Sequence, residues 1–332
     1  MFRETTINGR CYKYSDLVNK FHNESTFEFP AENIISNELS YQHVLTDLNI
    51  RHGCYLGVGP DQNFTYISHV KPNIALLIDI RRNGFLQNIF YKALFEISKD
   101  RSEFLSNLFG KQLTGSCIFE LINQIDYGIN HIDVTDKIIN AIMTFGLCLT
   151  ESDFVSIRNI HQMFIDNGLN IFYTTHKNTN TKFCTYRSLL LETDKFGNKK
   201  NYLVSDENFQ IVKILQDNNL IIPVHSDICN LHEISQFLFE IKETVSVFYT
   251  SNSEYYIWVL GKMDEFVESV KSLPISKESV IIRSYFHFVK YCKIHPKAVN
   301  NYPSVQLLCP IKCLRNDKSY YDMIVKKQVS MI

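Results

Sequence analysis

No apolar run in this sequence is long enough to cross a bilayer: the longest, such as Ile74 to Ile80 and Asn219 to Val224, fall far short of the roughly 20 residues a spanning helix needs. No membrane segment is expected. An excess of one charge is missing too, because the formal net charge is −1 over 332 residues and the sequence pI is near 6.8. That leaves no overall basic field to hold nucleic acid or an anionic lipid surface. CxxC spacing is absent among the nine cysteines scattered from Cys11 to Cys313, and the opening MFRETTINGR carries no apolar signal segment. Free thiols in a reduced, cytoplasmic compartment are therefore expected. Glycine and proline are sparse, at 12 and 8 residues, and no internal repeat or low-complexity segment is present. No GxSxG elbow, HExxH pair or GxxxxGK[ST] loop occurs, so hydrolase, zincin and P-loop readings have no local support. His287, Cys292 and His295, or Cys309 with Cys313, fit no standard zinc-finger spacing, and no metal is expected.

What the sequence does hold is the 45% hydrophobic and 21% charged composition of a globular chain, and one organising stretch from Gly53 to Arg82. It opens with the apolar run Cys54-Tyr55-Leu56-Gly57-Val58, breaks at Gly59-Pro60, predicts a helix over Asp61 to His69, and re-enters an apolar run at Ile74 to Ile80. Strand, tight turn, helix and strand in that order predict a parallel α/β unit with free backbone N–H groups at the helix start. Gly57-x-Gly59-Pro60-Asp61-Gln62 lacks the third glycine of GxGxxG, and Asp61 there argues against a pyrophosphate. Asp79 follows Gly59 by 20 residues, at the carboxyl end of the second strand, where an acid is placed to bind ribose hydroxyls.

Along the rest of the chain, residues 1–50 read as an irregular cap with a helix near Asn37 to Leu48. Helical periods follow from Phe85 to Ile97, Arg101 to Phe109, Val134 to Cys148, and Ser152 to Asn167 behind the capping box Thr150-x-x-Asp153. Only Asn170 to Thr175 reads as a strand between Phe85 and Gln216, so residues 85–216 form a mainly helical insertion between the second and third strands. A second α/β half spans 217–332. It has a helix to Asp217 capped by Ser205 or Asp206, strands at Leu220–Val224, Val245–Tyr249 and Ser279–Arg283, and helices at Leu231–Ile241 and Met263–Leu273. Val305–Cys309 and Tyr320–Lys326 form a closing antiparallel hairpin. Five strands joined by helices and ended by a hairpin predict an α/β, Rossmann-like sheet of the class I methyltransferase type.

Four segments carry a family resemblance: LGVGPDQNFTYI, IDIRRNGFLQNIFYKALFEISKDRSEFLSNLF, YLVSDENFQIVKILQDNNLIIPV and VFYTSNSEYY. They resemble a family of bacterial proteins of unknown function whose usual forms read VGPEQNFTYI, DIRRxN, YKALFE, LxSExNF and FYLSNVEQYL. The resemblance covers most of Arg51 to Ser284, and that family is similar to S-adenosylmethionine-dependent methyltransferases in strand order. Where its members have GDFAGP after the third strand, this chain has Ser226-Asp227-Ile228-Cys229-Asn230-Leu231, keeping the acid and losing both glycines. Tyr55 stands where most methyltransferases put an acid.

The expected cofactor contacts are Gly57, Gly59, Pro60, Gln62, Asn63, Asp79 and Asp227, with S-adenosylmethionine as cofactor. Strand-end acids also cap helices, so Asp79 and Asp227 carry a structural alternative. After the fourth strand, Asn252, Glu254 and Tyr255 are the candidate catalytic residues: an amide oxygen and an aromatic face to hold a nucleophile and a sulfonium, and a carboxylate as general base. Arg82 and Arg283, at the ends of the second and fifth strands, are placed to grip a carboxylate or phosphate of the substrate, or to serve in salt bridges. Two functions remain open, the first of them preferred. One is a methyltransferase of unknown acceptor. The other is a non-catalytic Rossmann-like scaffold that binds a protein partner through the helical insertion. A nicotinamide-dependent oxidoreductase is disfavoured by the tail hairpin and by Asp61.

Overall fold

The computed structural model describes residues 3–21, 34–173, 184–286 and 304–314, with His295, Lys297, Val299 and Tyr302. Its strands are β1 (Glu4–Ile7), β2 (Arg10–Lys13), β3 (Cys54–Val58), β4 (Ile74–Asp79), β5 (Ile221–His225), β6 (Val245–Tyr249), β7 (Ile275–Phe286) and β8 (Ser304–Pro310). Strands β3 to β8 make one sheet in the order β5-β4-β3-β6-β7-β8, with β8 antiparallel to β7 and every other pairing parallel. This is a mixed α/β architecture compatible with a Rossmann-like fold. The chain leaves β3 toward β4 on one side and reaches β6 on the other, so the carboxyl ends of β3 and β6 flank a switch point, the usual ligand cleft of open α/β sheets.

The strands form where the sequence offers short, nearly unbroken apolar runs. IALLID and VSVFY are buried at every position, as parallel strands covered on both faces must be. Register sets Gly57 between Leu77 and Tyr249, and Asp79 beside His225. Helix Arg82–Ile97 packs on β4 and β5 and is itself covered by helices Thr135–Met143, Glu151–Asn167 and Asp206–Asp217. Being enclosed, it is buried continuously from Gly84 to Phe95, polar residues included.

Local signals place most helices where expected. Arg101–Phe109 starts at an Asp100 N-cap, Glu151–Asn167 carries both bonds of the Thr150/Asp153 capping box, and Ser205 rather than Asp206 caps Asp206–Asp217. Three differences stand out. The expected strand at Asn170–Thr175 is, over its described part, one isolated bridge from Phe172 to Thr185. Leu39–Thr46 is 3₁₀ rather than α-helical. The first 21 residues are not irregular: β1 and β2 form a hairpin, and helix Tyr14–Lys20 follows and packs on β5. The hairpin turn is Asn8-Gly9, with φ of 47° and 78°, the left-handed pair that a two-residue hairpin demands. Docked there, the hairpin and helix shield the edge strand β5, where Pro223 gives up no ladder bond. The second half of the expected tail hairpin, Tyr320–Lys326, lies outside the described residues. Among the described residues no helix is long and apolar enough to cross a membrane.

Candidate functional site

The turn after β3 is filled by the chain itself. Asn63 folds its side chain back under the turn, donating from Nδ2 to the carbonyls of Val58 (3.3 Å), Gly59 (3.0 Å) and Pro60 (2.8 Å), while its Oδ1 accepts the Tyr55 hydroxyl at 2.8 Å. A Cβ on Gly57 would collide with Asn63 Oδ1 and come within 2.6 Å of Tyr55 Cε1. Glycine at 57 thus admits two of the protein's own side chains, the space a cofactor was expected to approach. Gln62 reaches the neighbouring strand instead of outward, donating to the Tyr249 hydroxyl at 3.1 Å.

Asp79 is consumed in the same way. Its carboxylate accepts the backbone N–H of Arg81 at 2.9 Å and is bridged by the Arg81 guanidinium at 2.8 and 3.0 Å. A Cβ on Gly84 would collide with Asp79 Oδ2, so the missing side chain there lets the carboxylate sit over the amino end of helix Arg82–Ile97. Asp227 turns to its own loop, accepting the N–H of Cys229 at 2.9 Å, and is half-buried. Each acid is bonded within its own turn, and neither carboxylate is bonded across to the other's strand.

The candidate catalytic pair is also closed. Helix Ser253–Val259 places Glu254 against Arg283 of β7 in a fully buried ion pair, with Arg283 Nε 3.0 Å from both carboxylate oxygens and a guanidinium N–H donated to Oε2 at 2.5 Å. Thr250 donates a further bond to Glu254 at 2.8 Å. Arg283 therefore faces Glu254 where a substrate anion was expected. Arg82 makes a bidentate bond to Asp153 of the inserted helix Glu151–Asn167, at 2.8 and 2.9 Å. Burial raises the Asp153 carboxyl, but Arg82 and the Thr150 capping bonds outweigh it and hold it at about 2. Asn252 and Tyr255 stay half-exposed. Asn252 Nδ2 lies 3.5 Å from Asn37 Oδ1, and Tyr255 packs edge-on to Tyr256 and tilted to Trp258.

Two acids that drew no attention as site residues turn out to be central. Glu38 is buried at the carboxyl edge and accepts from Tyr249, Ser251, Ser284 and Gln306; burial raises its pKa, opposed by those bonds. Asp61 lies in a cage of tyrosines, accepting from the Tyr186 hydroxyl at 2.7 Å and the Tyr202 hydroxyl at 3.5 Å. Burial pushes it up to about 6, the tyrosine bonds only partly compensating. The one available sequence signal for Asp61 was its place in the glycine turn. Nothing local marked Glu38, because its partners lie more than 200 residues away.

Because its folded pKa is raised, Asp61 stabilises the fold less as pH climbs: the unfolded carboxyl releases its proton near 3.8 and the folded one near 6. Asp61→Asn is accordingly expected to gain about 2–3 kcal/mol above pH 7, a gain that shrinks through pH 6 and is gone by about pH 4. Urea unfolding of both proteins across that range measures it. A gain independent of pH would mean that Asp61 carries no strained charge.

Of the metal candidates, His287 and Cys292 lie outside the described residues. Among the described residues no group of three or more His, Cys, Asp or Glu side chains is placed to hold a metal ion. A family model described as a domain of unknown function, DUF7790, matches residues 33–307. No curated protein matches the chain.

Proposed function

We propose, from the premise that the chain belongs to the DUF7790 family, that it keeps a Rossmann-like sheet of the class I methyltransferase type as a non-catalytic scaffold. On this reading it binds a protein partner through the helical layer between β4 and β5. The observation that carries the reading is the filling of the cleft: Tyr55 and Asn63 occupy the glycine turn, Arg81 holds Asp79, and Arg283 holds Glu254. A nucleoside would have to break these bonds before forming its own, and buried bonds to charged groups are costly to break. The inserted layer supports the partner side. Tyr127 and Ile129, 82% and 85% exposed, flank Gly128 at the end of helix Ile118–Tyr127, and large apolar side chains so exposed are typical of contact surfaces when clustered.

Calorimetric titration with S-adenosylmethionine and S-adenosylhomocysteine tests this. No heat is expected up to millimolar ligand, whereas micromolar binding overturns the scaffold reading. One observation favours the alternative, an S-adenosylmethionine-dependent methyltransferase of unknown acceptor. At the carboxyl edge, Tyr173 interacts with Tyr256 and Asn252, and Arg81 feels both tyrosines, giving a polar-aromatic rim that is partly open at Tyr256. Such a rim suits an acceptor nucleophile, and the same titration decides between the two.

A further inference from the structure

Glu38 is bonded by groups drawn from three strands and one loop. The Tyr249 hydroxyl at the end of β6 donates to Oε2 at 2.6 Å, and Gln306 Nε2 of β8 donates to the same oxygen at 2.9 Å. The Ser251 hydroxyl donates to Oε1 at 2.6 Å. The Ser284 hydroxyl of β7 lies 2.7 Å from Oε2 and 2.8 Å from Gln306 Oε1. None of these partners is cationic, and the neighbouring guanidinium of Arg283 is bonded to Glu254. Hydroxyls and one amide thus surround a carboxyl group that is fully buried.

The occupant comes from outside the sheet. It lies just before the 3₁₀ helix Leu39–Thr46, and the described residues 34–38 are tied by the Ile34 carbonyl accepting from Gln87 at 2.6 Å, the Ser36 carbonyl accepting from Cys184 at 2.9 Å, the Ser36 hydroxyl accepting the Glu38 N–H at 3.1 Å, Asn37 Oδ1 at 3.5 Å from Asn252 Nδ2, and the burial of Ile34 and Ile35. The nest, by contrast, belongs to the strand ends beside the switch point, where open α/β sheets take their ligands. A second observation is an unpartnered acceptor beside the nest. Gln62, which bonds Tyr249 through Nε2, is buried and its Oε1 has no hydrogen-bond partner among the described residues. An orphaned acceptor next to converging donors is what a site built for a polar molecule leaves when a substitute of the wrong shape sits in it.

We propose that Tyr249, Ser251, Ser284 and Gln306 form a binding site for a small carboxylic acid, held in cis by Glu38 and opened when the segment 34–38 withdraws. The proposal rests on the reading that the cleft is filled by the chain's own side chains, and it adds what ligand that filling imitates. Burial raises the pKa of Glu38, so the nest suits an acid that shares its proton with the hydroxyls as well as an anion.

The test uses the full chain with Glu38→Ala and acetate as the probe. The variant unfolds at a lower temperature than the wild type because the nest loses its acceptor. Acetate restores at least half of the lost midpoint, saturating at roughly millimolar concentration for so small a ligand. Chloride at equal ionic strength and acetamide do not. Adding Ser251→Ala and Ser284→Ala to the variant abolishes the rescue. In the wild type, acetate speeds hydrogen exchange at residues 34–38. Equal responses to acetate and chloride overturn the site, and exchange in the wild type that ignores acetate overturns displacement of Glu38.

Should Glu38→Ala not fold, Glu38→Gln keeps the nest filled, its Oε1 accepting the three bonds of the present Oε2 while its amide meets Ser251. The wild-type exchange experiment then decides alone. Heat from S-adenosylhomocysteine would sink the scaffold reading without touching the acetate result. A silent acetate experiment sinks the carboxylate site while leaving the scaffold reading in place.

Discussion

Glu254→Ala is expected to cost the fold about 3–5 kcal/mol, the usual penalty for stripping one partner from a buried ion pair. The side chains of Glu254 and Arg283 are 0% and 3% exposed, so a guanidinium that loses this carboxylate cannot replace it with water without moving β7 or helix Ser253–Val259. Thr250 loses an acceptor in the same substitution. Urea denaturation of the purified variant measures the loss. A companion experiment separates a structural pair from a catalytic base: replacing both partners, Glu254→Leu with Arg283→Met, should recover most of the stability, because a well-packed apolar pair often equals a buried ionic one. If Glu254→Ala instead shifts stability by no more than a surface substitution does, about 0.5 kcal/mol, the pair is not closed in solution and the general-base role returns.

Gly57→Ala comes next, with a loss of about 3 kcal/mol or more. One methyl group at this position cannot be accommodated while Asn63 stays under the turn. If the Asn63 side chain leaves, the Val58, Gly59 and Pro60 carbonyls lose its amide and the Tyr55 hydroxyl loses its acceptor, Pro60 keeping the Asn63 backbone N–H, and each lost buried bond carries a desolvation penalty. The two positions are therefore coupled. The double variant Gly57→Ala/Asn63→Ala should be more stable than the sum of the single losses predicts by at least about 1 kcal/mol. Additive losses, or a tolerated Gly57→Ala, would mean that the turn is open, and the cofactor reading would gain what the scaffold reading loses.

Both predictions concern residues singled out in the sequence for chemistry, and their fate shows which kinds of signal survive folding. Gly57, Asn63, Asp79, Glu254 and Arg283 were singled out because they lie at strand ends along one edge, and the structure does bring those ends to one edge. What strand position leaves undetermined is which way a polar side chain turns. Asp79 is two residues from Arg81 and close to Gly84, so it finds a bonding partner within its own turn. Arg82 is placed by sequence to grip a substrate, yet its partner Asp153 sits in a helix whose period and capping box the sequence shows without showing that it meets Arg82. The Asn8-Gly9 turn shows the opposite case, a fully local hairpin signal in a segment whose mixed polarity made it read as irregular.

Alone, the sequence determined most of the elements: apolar runs of five or six residues as buried strands, apolar spacing of three and four as helices, and the capping box at Thr150. These signals are read within a few residues, where backbone hydrogen bonding and side-chain period are set. Tertiary structure decided the polar pairings. Glu38 meets Tyr249, Ser251, Ser284 and Gln306 across separations of 211 to 268 residues, and Glu254 meets Arg283 across 29. A buried charged or polar group must be paired, but its partner is whatever the packed chain brings within 3 Å, and no local pattern encodes that distance.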